Sequence, residues 1–358
     1  MSKKDNHTSA YQNALDKLYF SEGEKEQMIN RLLQHDTIKT GASHKRWRLP
    51  RLAAVGLAAA LVFSIGAGAT VVYNKLASES FFGVFGDAHT EIVDHIGRPV
   101  GASCTDNGVT ITADAIIGDK YHYAITYSIE KTDGTPFDVS HTVGENILPY
   151  GFDCDLSSVG ILGSEHGCSW FYDANPSDNA IQYVSMMESN KEITGGTYKA
   201  DFQDLMYHDE EGNYQTLVEG RWKLKFALNF EDASINIPAG QTISMGDTTA
   251  VIDAITLSPV AVRVDYTADG EPQWDHNGGS GQMSEHDAAE SDKYLGMKIA
   301  LRLKDGTEKD FSGAGGGFKP KDGKTICQKG EMFNEIIPLE DVESILVGDV
   351  TIPIDNES

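Results

Sequence analysis

Three observations predict a mainly β fold tethered to a single membrane-spanning helix. The 358-residue chain is divided by charge, it holds one long run without a charged side chain, and its larger part alternates apolar and polar residues at the period of a strand.

The charge division comes first. Residues 1–51 hold ten Lys/Arg against six Asp/Glu, whereas residues 75–358 hold 19 against 48, so a basic head precedes an acidic body. The chain as a whole carries a formal net charge of −25. Such a body is repelled by phosphate backbones, which argues against nucleic acid as a partner. It is long enough for two ordinary domains that need no covalent staple. All four cysteines, Cys104, Cys154, Cys168 and Cys327, lie in the acidic body. Four cysteines allow three pairings; Cys154 and Cys168 are the nearest pair in the chain, and free buried thiols are the other reading.

Between head and body, residues 52–74 read LAAVGLAAALVFSIGAGATVVYN. As a helix this run reaches about 34 Å, enough to cross a hydrocarbon core of about 30 Å. Lys45, Arg46, Arg48 and Arg51 precede it and only Lys75 follows closely, so the positive-inside bias leaves residues 1–51 in the cytoplasm and the acidic body outside. The lipid bilayer is thus an expected partner. A cleaved signal peptide ending at Ala67-Gly68-Ala69 is the rival, but its n-region would be far too long. Gly56, Ala60, Ser64 and Gly68 recur every fourth residue and would let a second copy approach, giving a homodimer through the span; a helix rich in Ala and Gly also produces that spacing by chance.

In the basic head, Ser21 and Glu24 fit a capping box, and Met28, Ile29, Leu32 and Leu33 follow as an apolar stripe at helical spacing. Tyr11, Leu15, Leu18 and Tyr19 make a similar shorter stripe. Helices this short are marginal alone, so the two stripes predict either a docking element for a cytoplasmic protein or a partly disordered tail.

The acidic body reads as strands. Tyr121, Tyr123, Ile125, Tyr127 and Ile129 alternate with His122, Thr126, Ser128 and Glu130, predicting a half-buried strand. Trp222, Leu224, Phe226, Leu228 and Phe230 do the same, with Arg221, Lys223 and Lys225 facing away. Asp133-Gly134 and Asp305-Gly306 follow strands as hairpin turns would, and residues 208–212 read as a hairpin tip. A weak repeat links Asp114-Ala115-Ile116, with Lys131-Thr132-Asp133-Gly134-Thr135 beyond it, to Asp253-Ala254-Ile255, with Lys304-Asp305-Gly306-Thr307 beyond it. The fold class expected is therefore mainly β: two immunoglobulin-like antiparallel β-sandwich domains, at 79–232 and 233–358, after a transmembrane helix and a short helical N-terminus.

Catalytic signatures are sparse. The sequence has no Gly-x-Ser-x-Gly elbow, phosphate loop or dinucleotide fingerprint, and the chain is read as a non-enzyme with no cofactor. Two well-placed carboxylates on a sandwich would leave no local motif, so an exported hydrolase stays an alternative. Asp275, His276, Glu285, His286 and Asp287 collect metal-type donors, but without HExxH or EF-hand spacing, and residues 268–292 read as a solvated loop.

Phe81-Phe82-Gly83-Val84-Phe85-Gly86, Ile96-Gly97-Arg98-Pro99-Val100-Gly101-Ala102-Ser103, Asp106-Asn107-Gly108-Val109-Thr110, the Tyr121 strand and Asp133-Gly134-Thr135-Pro136-Phe137 resemble a domain family of unknown function. It occurs in single-pass Gram-positive membrane proteins often described as anti-sigma factors or their relatives. Residues 333–339, 345–349 and 352–354 resemble that family's closing β segment. The resemblance implies an anti-sigma-factor-like regulator in which Tyr11, Leu15, Leu18, Met28, Ile29, Leu32 and Leu33 contact a cytoplasmic sigma factor while the exterior receives an unidentified signal. The head has no cysteine, so the zinc pattern of one anti-sigma class is absent. A cell-surface binding or adhesion module with a non-functional cytoplasmic stub is the alternative.

Overall fold

The computed structural model describes residues 76–155, 165–209, 211–275, 277 and 283–354. The expected span at 52–74 and every expected partner-binding residue from Tyr11 to Leu33 lie outside the described residues. Among the described residues, no helix is long and apolar enough to cross a membrane.

Eighteen strands and three α-helices make up these residues, so the fold is mainly β. Helices α1 (Ala77–Phe85) and α2 (Thr90–Ile96) lead into β1 (Arg98–Asp106), β2 (Val109–Gly118), β3 (His122–Lys131), β4 (Tyr150–Asp155), β5 (Glu165–Tyr172), β6 (Ile181–Ser189), β7 (Gly196–His208) and β8 (Tyr214–Leu228). Then come β9 (Ile235–Ile237), β10 (Thr242–Met245), β11 (Thr248–Leu257), β12 (Ala261–Asp269), α3 (Glu285–Leu295) and β13 (Ile299–Leu303). The chain closes with β14 (Glu308–Asp310), β15 (Gly315–Lys321), β16 (Lys324–Met332), β17 (Val342–Val347) and β18 (Val350–Pro353).

Every strand pairing is antiparallel. In a first lobe, the sheet β1-β2-β3-β6-β5 and the sheet β4-β7-β8 enclose one core, built on Tyr123, Tyr127, Phe202 and Trp222. In a second lobe, β10-β11-β12-β16-β15 and β14-β13-β17-β18 enclose another, built on Tyr266, Ile299, Phe333 and Ile345. Apolar residues at every second position drive this two-layer arrangement, because one face of each sheet must leave water.

The weak repeat is structurally real at its first half. Asp114 in β2 and Asp253 in β11 are each the extra residue of a β-bulge. Ser128 in β3 donates to Asp114 at 2.5 Å, and Thr267 in β12 donates to Asp253 at 2.7 Å. Strand order around the two bulges also corresponds, β1-β2-β3-β6-β5 matching β10-β11-β12-β16-β15. Its second half is not equivalent. Asp305-Gly306 turns the chain from β13 into its partner β14, whereas Asp133-Gly134 ends β3 and leads to no hairpin partner.

The β3 face holding His122, Thr126 and Ser128 is not a solvent face over most of its length. His122, Ala124 and Thr126 are as buried as Tyr123, Ile125 and Tyr127, because helices and the second lobe cover that side. Strand β8 behaves as expected, with Trp222, Leu224 and Leu228 buried and Arg221, Lys223 and Lys225 exposed. Three helices also interrupt the expected all-β body. The 268–292 stretch ends in α3, whose N-cap Ser284 accepts from the Asp287 amide. Three cysteines, Cys104, Cys168 and Cys327, are free thiols.

Candidate functional site

Where the lobes meet, two layers of contact lie side by side, one apolar and one charged. The apolar layer seats α1 and α2. Ala77, Phe81 and Phe85 of α1 and Val93 and Ile96 of α2 pack on Ala115, Ile117, Ala124, Val184 and Met186 of the first lobe and on Val260, Ala261 and Ile336 of the second. Asp94 holds the start of α1 by accepting from the Ser78 amide at 2.8 Å and its hydroxyl at 3.0 Å, satisfying a donor that a helix N-terminus leaves open. Gly97 allows the fit, since a Cβ there would meet the Val93 carbonyl at 2.7 Å and Ala77 Cβ at 2.9 Å. Arg98 then pairs with Glu231, between the lobes, at 2.9 Å.

The charged layer begins with two matching turns. The amide of Asp119 donates to the carbonyl of His122, and the amide of Ser258 donates to the carbonyl of Ala261. Asp119 Oδ1 accepts from the amides of Tyr121 and His122, just as Ser258 Oγ accepts from those of Val260 and Ala261. These equivalent positions, 139 residues apart, then bond each other: Ser258 Oγ donates to Asp119 Oδ2 at 2.6 Å. Like meets like across the junction, as in an isologous interface between two subunits.

Around that bond sits a buried charge network. His122 is 1% exposed, and its Nδ1 lies 3.0 Å from Asp119 Oδ1; an ionised carboxylate can only accept, so Nδ1 carries the proton. Its Nε2 has no hydrogen-bond partner and faces Glu188 Oε2 at 3.9 Å. The same Oε2 is 3.0 Å from His166 Nε2 on β5. From the second lobe, Arg263 reaches Glu188 Oε1 at 3.2 Å and donates to the Ser189 carbonyl at 2.9 Å. The Arg263 guanidinium also forks onto Asp265, bonds Gln328 at 3.0 Å, and stacks 4.1 Å above the Tyr121 ring. Gly330 of β16 makes room, since a Cβ there would lie 3.2 Å from His122 Nε2 and 3.3 Å from Glu188 Oε1.

Titration follows from these contacts. Burial works to raise the Asp119 carboxyl, but the facing His122 and the bonds from Ser258 and Tyr121 outweigh it and hold the acid below its ordinary range. The bond to Glu188 lifts the His166 imidazole above its ordinary value, against burial and the nearby Arg263. Burial also pushes Glu165 up to about 7.

Elsewhere the expected donors have local duties. Asp287 accepts from the Asp275 amide at 2.8 Å, Ser284 donates to Asp275 at 2.7 Å, and His286 lies 2.6 Å from the Gln273 carbonyl, so the 275–287 donors close the loop onto α3. His276 lies outside the described residues, and among those described no group of three or more His, Cys, Asp or Glu is placed to hold a metal. An open pocket of about 500 Å³ beside Met245 and Met297 is rimmed by Lys293 and Lys298, which already pair with Asp247 at 3.4 Å and Glu308 at 3.0 Å. In the second lobe Lys329 is buried, and its Nζ donates to the carbonyls of Leu295, Met297 and Ser312 at 2.7, 2.8 and 2.6 Å.

The seam escaped sequence reasoning because its members sit in five separate strands and two turns. His122 sat at a polar position of an alternating strand, and nothing local marks Glu188 or Arg263 as its neighbours. For α3 a signal existed: Ser284-x-x-Asp287 is a cap pattern.

Fold and seam define a class, an all-antiparallel β protein whose repeated lobes meet through a buried charged contact, with two short helices seated beside it. Residues 46–131 match the family model described as Domain of unknown function (DUF4179). No curated protein matches the chain. A solved structure, described as the conserved domain protein from Bacillus anthracis, is similar at 13% identity and a TM-score of 0.43, covering 70% of this chain and 76% of that one.

Proposed function

We propose that the chain is a membrane-anchored, anti-sigma-factor-like regulator. Residues 52–74 cross the bilayer, the lobes stand outside as two immunoglobulin-like sandwiches forming the receiving body, and residues 11–33 hold a cytoplasmic sigma factor. The observation that carries this reading is the position of α1. It begins at Ala77, directly after the apolar run, and both lobes pack on it and on α2. A change in how the lobes meet would therefore act first on the helix nearest the span. The family match supports the same coupling, because it runs unbroken from the basic cluster through residues 52–74 to the end of β3.

The test is affinity capture of the full chain from membranes, wild type against the Met28→Asp, Leu32→Asp double variant. Recovery of a sigma factor with wild type alone is the expected result. Recovery of no sigma factor by intact, membrane-inserted wild type would leave the exterior as a surface binding module with a passive tail.

A further inference from the structure

We infer that the seam between the lobes is a proton-operated latch, closed when His166 carries charge beside Glu188 and loosened when it loses it. Three carboxylates meet in the seam: Asp119 and Glu188, both buried, and Asp265, half-buried. They face one permanent cation, Arg263, so a charged His166 lessens the excess of negative charge in the seam. A buried unbalanced carboxylate is costly, which makes the balance matter to lobe contact.

His122 Nδ1 donates to Asp119, and its Nε2 stands 3.9 Å from Glu188 Oε2 with no hydrogen bond between them. When protonated, His166 brings a charge to that same oxygen at 3.0 Å, and at 43% side-chain exposure it exchanges protons with solvent directly.

The groups facing the two rings come from every neighbouring element. Asp119 lies on the β2–β3 turn with Ser258 behind it, Glu188 on β6, Arg263 and Asp265 on β12, Gln328 and Gly330 on β16. Gly315 of β15 borders His166, with a Cβ there 3.7 Å from the ring. Glu331 of β16 faces Cys168 on β5, a place along that strand, and burial raises both. Lys329 is committed to its three carbonyls and does not enter the count.

The sign follows. A histidine raised in the folded state lends stability that is full below its unfolded value and is lost as pH rises through its folded value. Asp119, held low, loses its share only when pH falls through its lowered folded value. The latch therefore closes in mildly acidic conditions and slackens toward alkaline ones. It stands on the seam alone and does not depend on the membrane reading.

The experiment is amide hydrogen exchange on the full chain at about pH 5.5 and about pH 8, corrected for intrinsic exchange. Peptides over β12 and β16 should lose about tenfold in protection at the higher pH, while the β7–β8 hairpin keeps its own. Glu188→Gln removes the charge that the His166 proton balances and should flatten the profile, as should His166→Gln. Equal corrected protection at both pH values in wild type would overturn the latch. So would a pH response that survives in His166→Gln, or one that β7–β8 shares in full.

Discussion

The two bulged hairpins share a plan and differ in their cover. Asp114 and Asp253 occupy the same bulge, take the same bond from the next strand, and sit one residue beyond a position paired with a buried tyrosine, Tyr127 or Tyr266. Yet Asp114 is 1% exposed beneath the outer layer and Asp253 faces solvent. The same local motif is therefore a buried polar contact in one lobe and a surface contact in the other. What a residue contributes is set by the layer laid over it, and that layer comes from distant sequence.

The comparison can be broken at several points. Removing a charge from the seam should be among the costliest changes: Arg263→Ala leaves Glu188 and Asp265 without their permanent cation, an expected loss of about 3–5 kcal/mol in denaturant unfolding. Trp222→Ala should cost about 3–5 kcal/mol too, since it empties a core position and removes the Nε1 bond to the Val109 carbonyl at 2.9 Å, with the far-lobe exchange pattern retained. The sharpest pair is Asp114→Ala against Asp253→Ala. Taking the buried Asp114 carboxylate away from half-buried Ser128 should cost about 1–3 kcal/mol, whereas the exposed counterpart should stay within about 0.5 kcal/mol. Equal losses would show that the outer layer is irrelevant to the bulge. pH should act as well: wild-type stability should fall as pH rises above about 6.5 and through the raised folded value of His166, and His166→Gln should lose that slope.

Much of the framework was readable from residues alone. Alternation located β3 and β8 because strand period is local, and Asp-Ala-Ile was read only as a weak repeat, whose two aspartates the structure places in matching bulges. Helices α1 and α2 were missed although Phe81 and Phe85 lie four residues apart, since those phenylalanines read equally well as a strand edge. The seam was invisible for a different reason. His122 and Glu188 face each other because β3 pairs with β6, and Arg263 joins them only because a second lobe docks there. Pairing of that kind is decided by tertiary packing, which no window of sequence contains. The contacts proposed for Tyr11, Leu15, Leu18, Met28, Ile29, Leu32 and Leu33 belong to residues outside those described and rest on the capture experiment.

Lys329 offers a reporter for all of this. Its ammonium spends all three of its hydrogens on the carbonyls of Leu295, Met297 and Ser312, and burial lowers its pKa. An amine with no spare hydrogen and no exposed face is silent to acylating reagents, while surface lysines such as Lys223 and Lys324 react at once. Its labelling would therefore time the opening of the second lobe, reading a folding event as the appearance of one modified side chain.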